Sequence, residues 1–463
     1  MRSLIINCGS IQQKIVYLNN NQIEGIFVEN IDNKSIAGNI YRGKVEKILK
    51  GMEAAFIDIG TQKSGYLPLA KNSQIKQGQD ILVQIKKEGT LTKGPKLTTE
   101  ISIPSRNLVL VCNDNKIGIS NKIKCEEEKT RLKDIISKIK PDDKGVIIRT
   151  QAVGTEKTDL ENEFKDLIKI WEDIKINYNL GMGPKLLFED VDIISKTIRD
   201  TLNDQLDEIV INDNEKYLQI KQLIKTINPS YVSKVKYFDE PIDIFEYYNI
   251  NNKIKNLLDK KVYLKGGGYI VIDKTEALTV IDVNTGKFTG DLELDKTVFK
   301  VNCEAAHEIV KQIRLRDISG IIIVDFIDMQ SEKYKHSLID ILSKSLLEIG
   351  ASVQGLTNLG LVEIVRRKTK NSLQDYFKMS CPICKGSGKV DSIYSVLDYI
   401  EKEIKRIKNH TSLNSVTFEI PYYLYENLTV HSLDRIEKLK KENNINITLK
   451  ECKDSEIKAV LRG

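Results

Sequence analysis

The chain has 463 residues, enough for several domains, and its seven dispersed cysteines argue against a disulfide scaffold and for a reducing, cytoplasmic compartment. Its 71 Lys and Arg against 65 Asp and Glu give a net charge of +6, which fits a polyanionic partner but is common among soluble enzymes. No apolar stretch is long enough to span a membrane, and the N-terminus is expected to form a strand rather than a signal peptide.

The beginning of the chain predicts two β-rich segments. Residues 1–36 alternate apolar and polar positions around the Asn19-Asn20-Asn21 turn, which indicates a small antiparallel meander that must pack on a later part of the chain. Residues 37–104 contain several short predicted strands with glycines between them, an arrangement typical of an OB-fold barrel. These strands are expected at 39–49, 53–59, 64–69, 79–87 and 96–103.

Two aromatic residues of the predicted barrel, Phe56 and Tyr66, are candidates for stacking on nucleic-acid bases. Lysines such as Lys44, Lys63 and Lys93 are interleaved with them, and cations beside aromatic rings suit a surface that binds single-stranded RNA. The alternative is that Phe56 and Tyr66 fill the interior of the barrel.

Residues 105–185 mix strands and helices. Strands are expected at 108–111 and 145–149, and helices at 126–139 and after Thr155, which is expected to cap the second helix. The apolar stripe of that helix consists of Leu160, Phe164, Leu167, Ile168, Trp171 and Ile174. Gly181-Met182-Gly183-Pro184 is expected to be a linker.

A candidate phosphate pocket lies inside this segment. Arg149-Thr150 followed by Gly154-Thr155 offers a guanidinium, hydroxyls and backbone amides to a phosphate. The alternative is a solvated loop.

Residues 186–257 resume an α/β pattern. Helices are expected at 191–203 and 214–227, with a strand at 208–211 between them. This segment is predicted to return to the N-terminal meander and complete it.

Two aspartates within residues 258–378 are the leading candidates for a catalytic site. Asp282, followed two residues later by Asn284, ends one apolar, β-branched run, and Asp325 ends a second. A lone carboxylate is costly to desolvate at the end of a buried strand, so two converging carboxylates indicate an oxygen-ligand site that suits Mg²⁺. The alternative is that each aspartate is a helix cap or a solvated loop residue.

The two aspartate strands are separated by a helix predicted at 298–314, with Ala305, Ile309 and Ile313 on its core face. Arg314 and Arg316 end this helix, where they either face a phosphate or complement the helix dipole. The next helix is expected at 333–347.

A Cys-x-x-Cys pair, Cys381 and Cys384, is followed by glycines and resembles half of a zinc site. Structural zinc requires four ligands, so two copies of the chain are expected to share one ion. The alternative is a redox pair or two idle thiols. Residues 390–463 are predicted to form a closing α/β unit, with helices at 392–408 and within 424–442 and strands at 415–419 and 445–450.

Three separated motifs resemble the ribonuclease E / ribonuclease G family. They are GGGYIVIDKTEALTVIDVNTG at 266–286, IRLRDISGIIIVDFIDM at 313–329 and CPICKGSG at 381–388. The likeness covers nearly the whole chain. Without a long disordered C-terminal scaffold, the sequence is expected to be more similar to ribonuclease G than to ribonuclease E.

The resemblance implies an α/β multidomain fold. Its parts would be an RNase H-like subdomain with an inserted OB-fold barrel, a DNase I-like catalytic subdomain, a zinc link and a small C-terminal α/β domain. The implied boundaries are 1–36 and 186–257 for the two parts of the RNase H-like subdomain, 37–104 for the barrel, 105–185 for a 5′-end sensor region, 258–378 for the DNase I-like subdomain, 379–389 for the zinc link and 390–463 for the small domain.

The resemblance also implies site residues. Asp282 and Asp325 would bind catalytic Mg²⁺, supported by Asn284. The remaining implied contacts are Phe56, Tyr66 and Lys93 with RNA, Val109, Arg149 and Thr150 with a 5′-monophosphate, and Cys381 and Cys384 with zinc shared between protomers. Three positions depart from the family pattern: Ser105 stands where Gly is expected, and Asn121 and Asn358 stand where Arg is expected.

The sequence therefore predicts a magnesium-dependent endoribonuclease. It is expected to cleave single-stranded, AU-rich RNA with a preference for 5′-monophosphorylated ends, to act in rRNA and tRNA processing and mRNA decay, and to form homodimers that can pair further. The alternative is a non-catalytic RNA-binding or assembly protein that uses the barrel and the zinc link.

Overall fold

The chain divides into two units, Met1–Tyr376 and Phe377–Gly463. The structure is a computed structural model. It describes the whole chain apart from residues 33, 72, 90–92, 204, 287–293, 369–370, 385, 453–456 and 462–463, and apart from the side chains of residues 294 and 431. Lys385 of the Cys-x-x-Cys motif therefore lies outside the described residues.

The strands of the described chain are β1 (Arg2–Cys8), β2 (Gln12–Asn19), β3 (Gln22–Asn30), β4 (Ile40–Leu49), β5 (Ala54–Asp58), β6 (Gly65–Pro68), β7 (Asp80–Lys87), β8 (Lys96–Thr98), β9 (Ser102–Pro104), β10 (Leu108–Val111), β11 (Ile117–Ile119), β12 (Gly145–Ile148), β13 (Lys185–Phe188), β14 (Glu208–Ile211), β15 (Val235–Tyr237), β16 (Lys261–Tyr263), β17 (Tyr269–Lys274), β18 (Leu278–Asn284), β19 (Gly320–Asp325), β20 (Ala351–Leu356), β21 (Val362–Arg366), β22 (Ser415–Pro421), β23 (Asn446–Cys452) and β24 (Lys458–Val460).

The α-helices are α1 (Glu126–Ile139), α2 (Lys157–Asn179), α3 (Ile193–Thr201), α4 (Asn214–Ile227), α5 (Ile244–Tyr247), α6 (Ile250–Leu257), α7 (Leu294–Leu315), α8 (Glu332–Glu348), α9 (Leu373–Phe377), α10 (Ile393–His410), α11 (Tyr422–His431) and α12 (Leu433–Asn443). Short 3₁₀ helices occupy Lys50–Met52, Thr150–Ala152 and Pro229–Lys234.

The N-terminal meander is completed by a later segment of the chain, because residues 1–36 are too few to form a core alone. Strands β1, β2 and β3 pair in antiparallel order, and Asn20 and Asn21 take the left-handed conformation at the β2–β3 turn. Strand β14 pairs in parallel with β1, and β15 extends the sheet to the order β15-β14-β1-β2-β3. The predicted return of this segment to the meander is therefore observed.

The second sheet closes into a barrel. Strands β4, β5, β6, β8 and β7 follow one another, and an additional β4–β7 pairing joins the two ends, which gives the five-strand closed arrangement of an OB-like barrel. Strand β13 pairs antiparallel with the first residues of β4. The single strand predicted at 96–103 is wrong: it is two strands, because β8 pairs in the barrel while β9 pairs with β10 in the next sheet.

The third sheet has the order β11-β12-β10-β9 and packs against α2. The predicted apolar stripe of α2 lies in this core, although Ile168 is only partly buried. The prediction that Thr155 caps α2 is wrong. The residue before the helix is Glu156, and the Thr155 hydroxyl instead donates to the Gln151 carbonyl at 3.4 Å.

Two buried polar side chains tie the barrel to its surroundings. The Gln84 amide on β7 donates to the carbonyls of Gly38 and Ser102, and its oxygen accepts from the Ser102 amide. The Arg42 guanidinium on β4 donates to the carbonyls of Tyr178, Met182 and Gly183. The predicted linker at 181–184 is therefore anchored to the barrel.

The fourth sheet, of order β16-β17-β18-β19-β21-β20, is covered by helices on one face. Helices α7 and α8 pack against Ile270, Ile281 and Ile322, all of which are fully buried. Ala305, Ile309 and Ile313 of α7 lie in this core, as their spacing predicts.

The C-terminal unit is a small α/β structure. Its sheet has the order β23-β22-β24, with β22 and β23 parallel, and α10, α11 and α12 bury apolar residues against it. The helical stretch predicted within 424–442 is two helices, and β24 was not predicted. No helix in the described parts of the chain is both long and apolar enough to cross a membrane.

Candidate active site

Asp282 and Asp325 lie side by side on neighbouring parallel strands. Pairing of β18 with β19 runs from Leu278 opposite Ile321 to Asp282 opposite Asp325. Neighbouring strands are about 4.8 Å apart, so the two carboxylates occupy the same edge of the sheet within reach of one small ligand. Both residues lie within their strands. The alternative assignments as helix caps or loop residues are therefore wrong.

Both carboxylates project from the face of the sheet that the helices leave open. On β18 the alternate residues Thr279, Ile281 and Val283 are buried, whereas Asp282 is exposed. On β19 the same alternation buries Val324 and exposes Asp325. The strand register thus places two negative charges together in contact with solvent, where they do not incur the penalty of burial.

The aspartates line an open cleft of about 340 Å³. Within it the Asn284 side-chain amide donates to Asp282 Oδ2 at 2.7 Å, which fixes the orientation of that carboxylate. The rest of the lining consists of Val283, Thr285, Phe326, Ile327 and Asp328. Asp328 is a third carboxylate at the cleft that was not predicted, although it stands three residues after Asp325 in the same motif.

The donor set fits a magnesium ion. In the part of the chain that the structure describes, no three His, Cys, Asp or Glu residues are grouped so as to bind a metal. Two neighbouring carboxylates suit Mg²⁺, which binds through one or two carboxylates and keeps several waters. Asp282 and Asp325 are the residues that would hold the ion.

The loop after β19 is held by side chains of α7. Asn302 is fully buried, and its amide group both donates to the Ile327 carbonyl at 2.8 Å and accepts from the Ile327 amide at 3.1 Å. Asp295 accepts from the backbone amides of Gln330 and Ser331. Asn302 is thus a positioning residue for the loop that follows Asp325, and its sequence position inside a helix gave no signal of this.

Glycines support the end of β18 beside Asn284. A side chain at Gly268 would bring its Cβ within 2.8 Å of the Asn284 carbonyl oxygen. Gly286 takes a φ of 61°, and a Cβ there would lie 2.4 Å from the Gly267 carbonyl oxygen. Gly268 and Gly286 are therefore required by close backbone approach.

Arg314 and Arg316 do not face this cleft. They precede β19, whereas Asp325 ends it, about 15 Å away along the strand. Arg316 donates to Gln312 at 2.6 Å, and burial lowers the pKa of its guanidinium to about 10. The phosphate-facing alternative for these arginines is wrong for the aspartate site.

The predicted RNA-binding aromatics lie outside the barrel core. Phe56 and Tyr66 are register partners on β5 and β6, with ring centroids 6.1 Å apart, and both are half-buried. The buried neighbours of Phe56 are Ala55 and Ile57, which point to the other side of the strand. The alternative that these aromatics fill the barrel core is therefore wrong.

Two lysines that were not predicted as RNA contacts lie on either side of this aromatic pair. Lys47 is the register partner of Phe56, and Lys96 is that of Tyr66, so one line across four strands reads Lys, Phe, Tyr, Lys. Both lysines are exposed, and Lys93 lies three residues before Lys96 and is also exposed. A bulge in β4 between Val45 and Lys47 sets this alignment, and sequence alternation does not reveal it.

The predicted 5′-phosphate residues are arranged around a carboxylate. The Arg149 guanidinium donates to Asp200 at 2.8 Å and to the Ser105 carbonyl at 2.7 Å. The Thr150 hydroxyl lies 3.0 Å from the Ser120 hydroxyl, and Val109 pairs within β10. Asp200 comes from α3, 51 residues away, and its contact with Arg149 was not predicted.

The amide and hydroxyl groups predicted to complete this pocket have other partners. The Gly154 amide donates to Glu128 at 2.9 Å, and the Thr155 hydroxyl donates to Gln151. The prediction that Gly154-Thr155 contributes to the pocket is therefore wrong. Asn121 and Asn358, two of the departures from the family pattern, are both exposed.

The thiols of Cys381 and Cys384 lie in a turn of the C-terminal unit. Hydrogen bonds from the Gly386 and Gly388 backbone amides lower the pKa of Cys384, with a further contribution from Cys381. Thiolate is the form that ligates metal, and amides from following glycines stabilise it. This geometry suits a zinc half-site.

Comparison with known proteins identifies the family. The sequence model of the Ribonuclease E/G family matches residues 102–369. Ribonuclease G of Escherichia coli (strain K12) and of Salmonella typhimurium are each 34% identical over 429 residues, covering 87% of this chain and 87% of those proteins. Ribonuclease E of Haemophilus influenzae is 30% identical over 474 residues, covering 96% of this chain and 50% of that protein. The chain belongs to the Ribonuclease E/G family.

The extent of these matches favours the ribonuclease G branch of the Ribonuclease E/G family. The chain spans most of each ribonuclease G but only half of the ribonuclease E. The range that matches the family model contains the aspartate cleft and the Arg149 site, whereas the Phe56–Tyr66 row precedes it and Cys381 follows it.

The Asn302 contact leads to a prediction about the loop. Replacing Asn302 by Leu keeps the volume but removes both bonds to Ile327, at a cost of about 2–3 kcal/mol. Amide hydrogen exchange of peptides covering 326–331 is expected to accelerate about tenfold or more. Gln84→Leu is the matched control, because it removes a similar buried contact in the barrel and should leave these peptides unchanged. Equal exchange in the Asn302 variant and the wild type would contradict the assignment.

Proposed function

We propose that the chain is a magnesium-dependent endoribonuclease that hydrolyses single-stranded, AU-rich RNA and leaves a 5′-phosphate and a 3′-hydroxyl. Membership of the Ribonuclease E/G family makes the chain an endoribonuclease of RNA processing. The single observation that carries the catalytic assignment is the register pairing of Asp282 with Asp325 at an open cleft. The non-catalytic alternative does not account for this pairing.

The chain's own residues would bind and orient the reacting groups. Two carboxylates on neighbouring strands about 5 Å apart repel each other, so their juxtaposition favours the binding of a cation. Mg²⁺ in such a site supplies Lewis-acid polarisation of the scissile phosphate. Asn284 holds the Asp282 carboxylate in place, and the bonds from Asn302 to Ile327 hold the loop that follows Asp325.

RNA binding is assigned to the row Lys47, Phe56, Tyr66 and Lys96, together with Lys93. Base stacking on exposed aromatic rings tolerates many sequences, and lysines at both ends of the row complement the phosphates. The proposed substrates are rRNA and tRNA precursors and mRNA undergoing decay, as for a general single-strand endonuclease. Seven free thiols agree with action in the reducing cytoplasm.

A preference for 5′-monophosphorylated RNA is proposed for the Arg149–Thr150 site. A guanidinium and neighbouring hydroxyls suit a terminal phosphate. The Asp200 carboxylate already occupies the Arg149 guanidinium, however, so a phosphate must compete with it. We therefore expect a weak preference.

Dimerisation is proposed through zinc held by Cys381 and Cys384 from each of two protomers, with further pairing of dimers. Two thiols complete only half of the four-ligand shell that structural zinc requires. The support is the turn that brings amides to Cys384.

The aspartate assignment predicts a separation of cleavage from binding. Asp325→Asn is expected to lower the cleavage rate about a thousandfold, because it removes one of the two charges that would hold the ion, while RNA affinity stays within a few-fold. Cleavage of a short AU-rich RNA with and without Mg²⁺, and fluorescence anisotropy, measure the two quantities. Asp273→Asn is the control, since it removes an exposed carboxylate elsewhere in the same sheet. Loss of binding together with cleavage would count against the assignment.

The 5′-end assignment predicts opposite effects of two substitutions. Asp200→Asn removes the carboxylate that competes for Arg149 and should raise the ratio of kcat/KM for 5′-monophosphorylated over 5′-hydroxylated RNA several-fold. Arg149→Ala should bring that ratio to about one. The ratio is measured on two RNAs that differ only at the 5′ end. If all three proteins cut both RNAs equally, the nuclease assignment stands and the sensor is discarded.

The zinc assignment predicts a change of mass. Cys384→Ser should halve the mass measured by light scattering and remove bound zinc, because two thiolate ligands of a shared site are lost. Cys125→Ser changes an exposed thiol far along the sequence and should alter neither quantity. An unchanged mass in the Cys384 variant would refute the shared site.

A further inference from the structure

The open face of the catalytic sheet carries an aromatic and cationic cluster in line with the aspartates. Register partners share a face, and Tyr263 is opposite Tyr269, which is opposite Asn284. Two residues away along each strand, Lys261 is opposite Val271, which is opposite Asp282. Lys261, Tyr263 and Tyr269 therefore project from the same face as the carboxylates.

These three side chains form one contact cluster. The Lys261 ammonium lies 3.6 Å from the Tyr269 ring centroid and 5.0 Å from that of Tyr263, and the two rings are 6.3 Å apart. Attraction between the ammonium and the rings keeps the charge near this position. The neighbouring residues Val262 and Ile270 point to the other face, into the core.

The exposure of Tyr263 is not explained by packing. Its side chain is 72% exposed, although a tyrosine usually buries most of its ring. An exposed ring beside a held ammonium presents a stacking face and a cation together, which is the combination that binds a nucleotide of a single strand. Charge also favours RNA here, since the β16–β17 hairpin carries Lys261 and Lys265.

The spacing of the strands puts the cluster close to the strand that carries Asp282. At about 4.8 Å per strand, β17 lies about 5 Å and β16 about 10 Å from the strand that carries Asp282. We propose that Lys261, Tyr263 and Tyr269 form a subsite for the nucleotide next to the scissile phosphate. The base stacks on Tyr263, the Lys261 ammonium contacts the flanking phosphate, and Tyr269 positions Lys261. This proposal rests on the proposed function of the aspartate cleft.

The first test measures binding without cleavage. In the Asp325→Asn background with EDTA, Tyr263→Ala is expected to weaken binding of a short single-stranded RNA about tenfold, and Tyr263→Trp to preserve it. Tyr394→Ala is the matched control, because Tyr394 is also 70% exposed beside a cation, Arg435, but belongs to the C-terminal unit. Equal weakening by Tyr394→Ala, or none by Tyr263→Ala, would overturn the subsite.

The second test locates the nucleotide. An abasic residue is placed in turn on each side of the cleavage site, and kcat/KM is measured for wild type and Tyr263→Ala. At one of the two positions, the abasic residue should lower kcat/KM of the wild type about tenfold. It should leave kcat/KM of the variant almost unchanged, because the stacking partner is already absent. Additive losses at both positions would overturn the subsite while leaving the nuclease intact.

Two further outcomes are distinguishable. A wild type that does not cleave any of these RNAs with Mg²⁺ would refute the proposed function, whatever Tyr263→Ala does to binding. A Tyr263→Ala protein with changed mass by light scattering and unchanged RNA affinity would assign the cluster to contact with a second copy of the chain, and would overturn the RNA subsite.

Discussion

Strands β18 and β19 run parallel in a register that sets Asp282 against Asp325, and the chemistry of the cleft depends on that register. A slip of one residue would turn one aspartate into the core under α7 and α8 and bring a buried isoleucine or valine to the open face. Such a slip is opposed by the whole apolar underside, including Ile281 and Val324. The core therefore maintains the repulsive pair of charges, although it contacts neither carboxylate.

Helix α7 links this core to the loop that follows Asp325. Its apolar face packs under the sheet, while Asn302 and Asp295 on the same helix hold backbone groups of the segment after Asp325. Because α7 is held in place by the core, its bonds to the loop also fix the position of the loop. The opposite face of the sheet exposes Asp282 and Asp325 and carries aromatic and basic residues beside these carboxylates.

Local patterns predicted the regular elements well. Helices α1 and α4 begin and end where the sequence placed them, because charged first turns, apolar spacing and a following Pro or Asn mark their limits. The aspartate pair was predictable because each residue follows a β-branched run. The break between β8 and β9 was missed because both halves have strand-like sequences, and only their partners distinguish them.

Contacts between residues distant in sequence explain the other features that the sequence did not predict. The bond from Arg149 to Asp200 joins residues 51 positions apart, and its consequence for the phosphate pocket is invisible in either local sequence. The alignment of Lys47 with Phe56 arises from a bulge, and the bonds of Asn302 to Ile327 arise from helix packing. Each of these depends on tertiary geometry rather than on residue type.

The contacts of Gln84 and Arg42 have a mechanical consequence for the barrel. Gln84 bonds the barrel to the first residue of β9, and Arg42 holds the segment that returns from α2 to β13. The boundaries suggested by sequence describe an inserted module, yet both side chains are nearly fully buried. Movement of the barrel alone would break these buried hydrogen bonds, which opposes it. The barrel and the sheet of β12, which ends just before Arg149, are thus expected to move as one body, so a displacement of one is transmitted to the other.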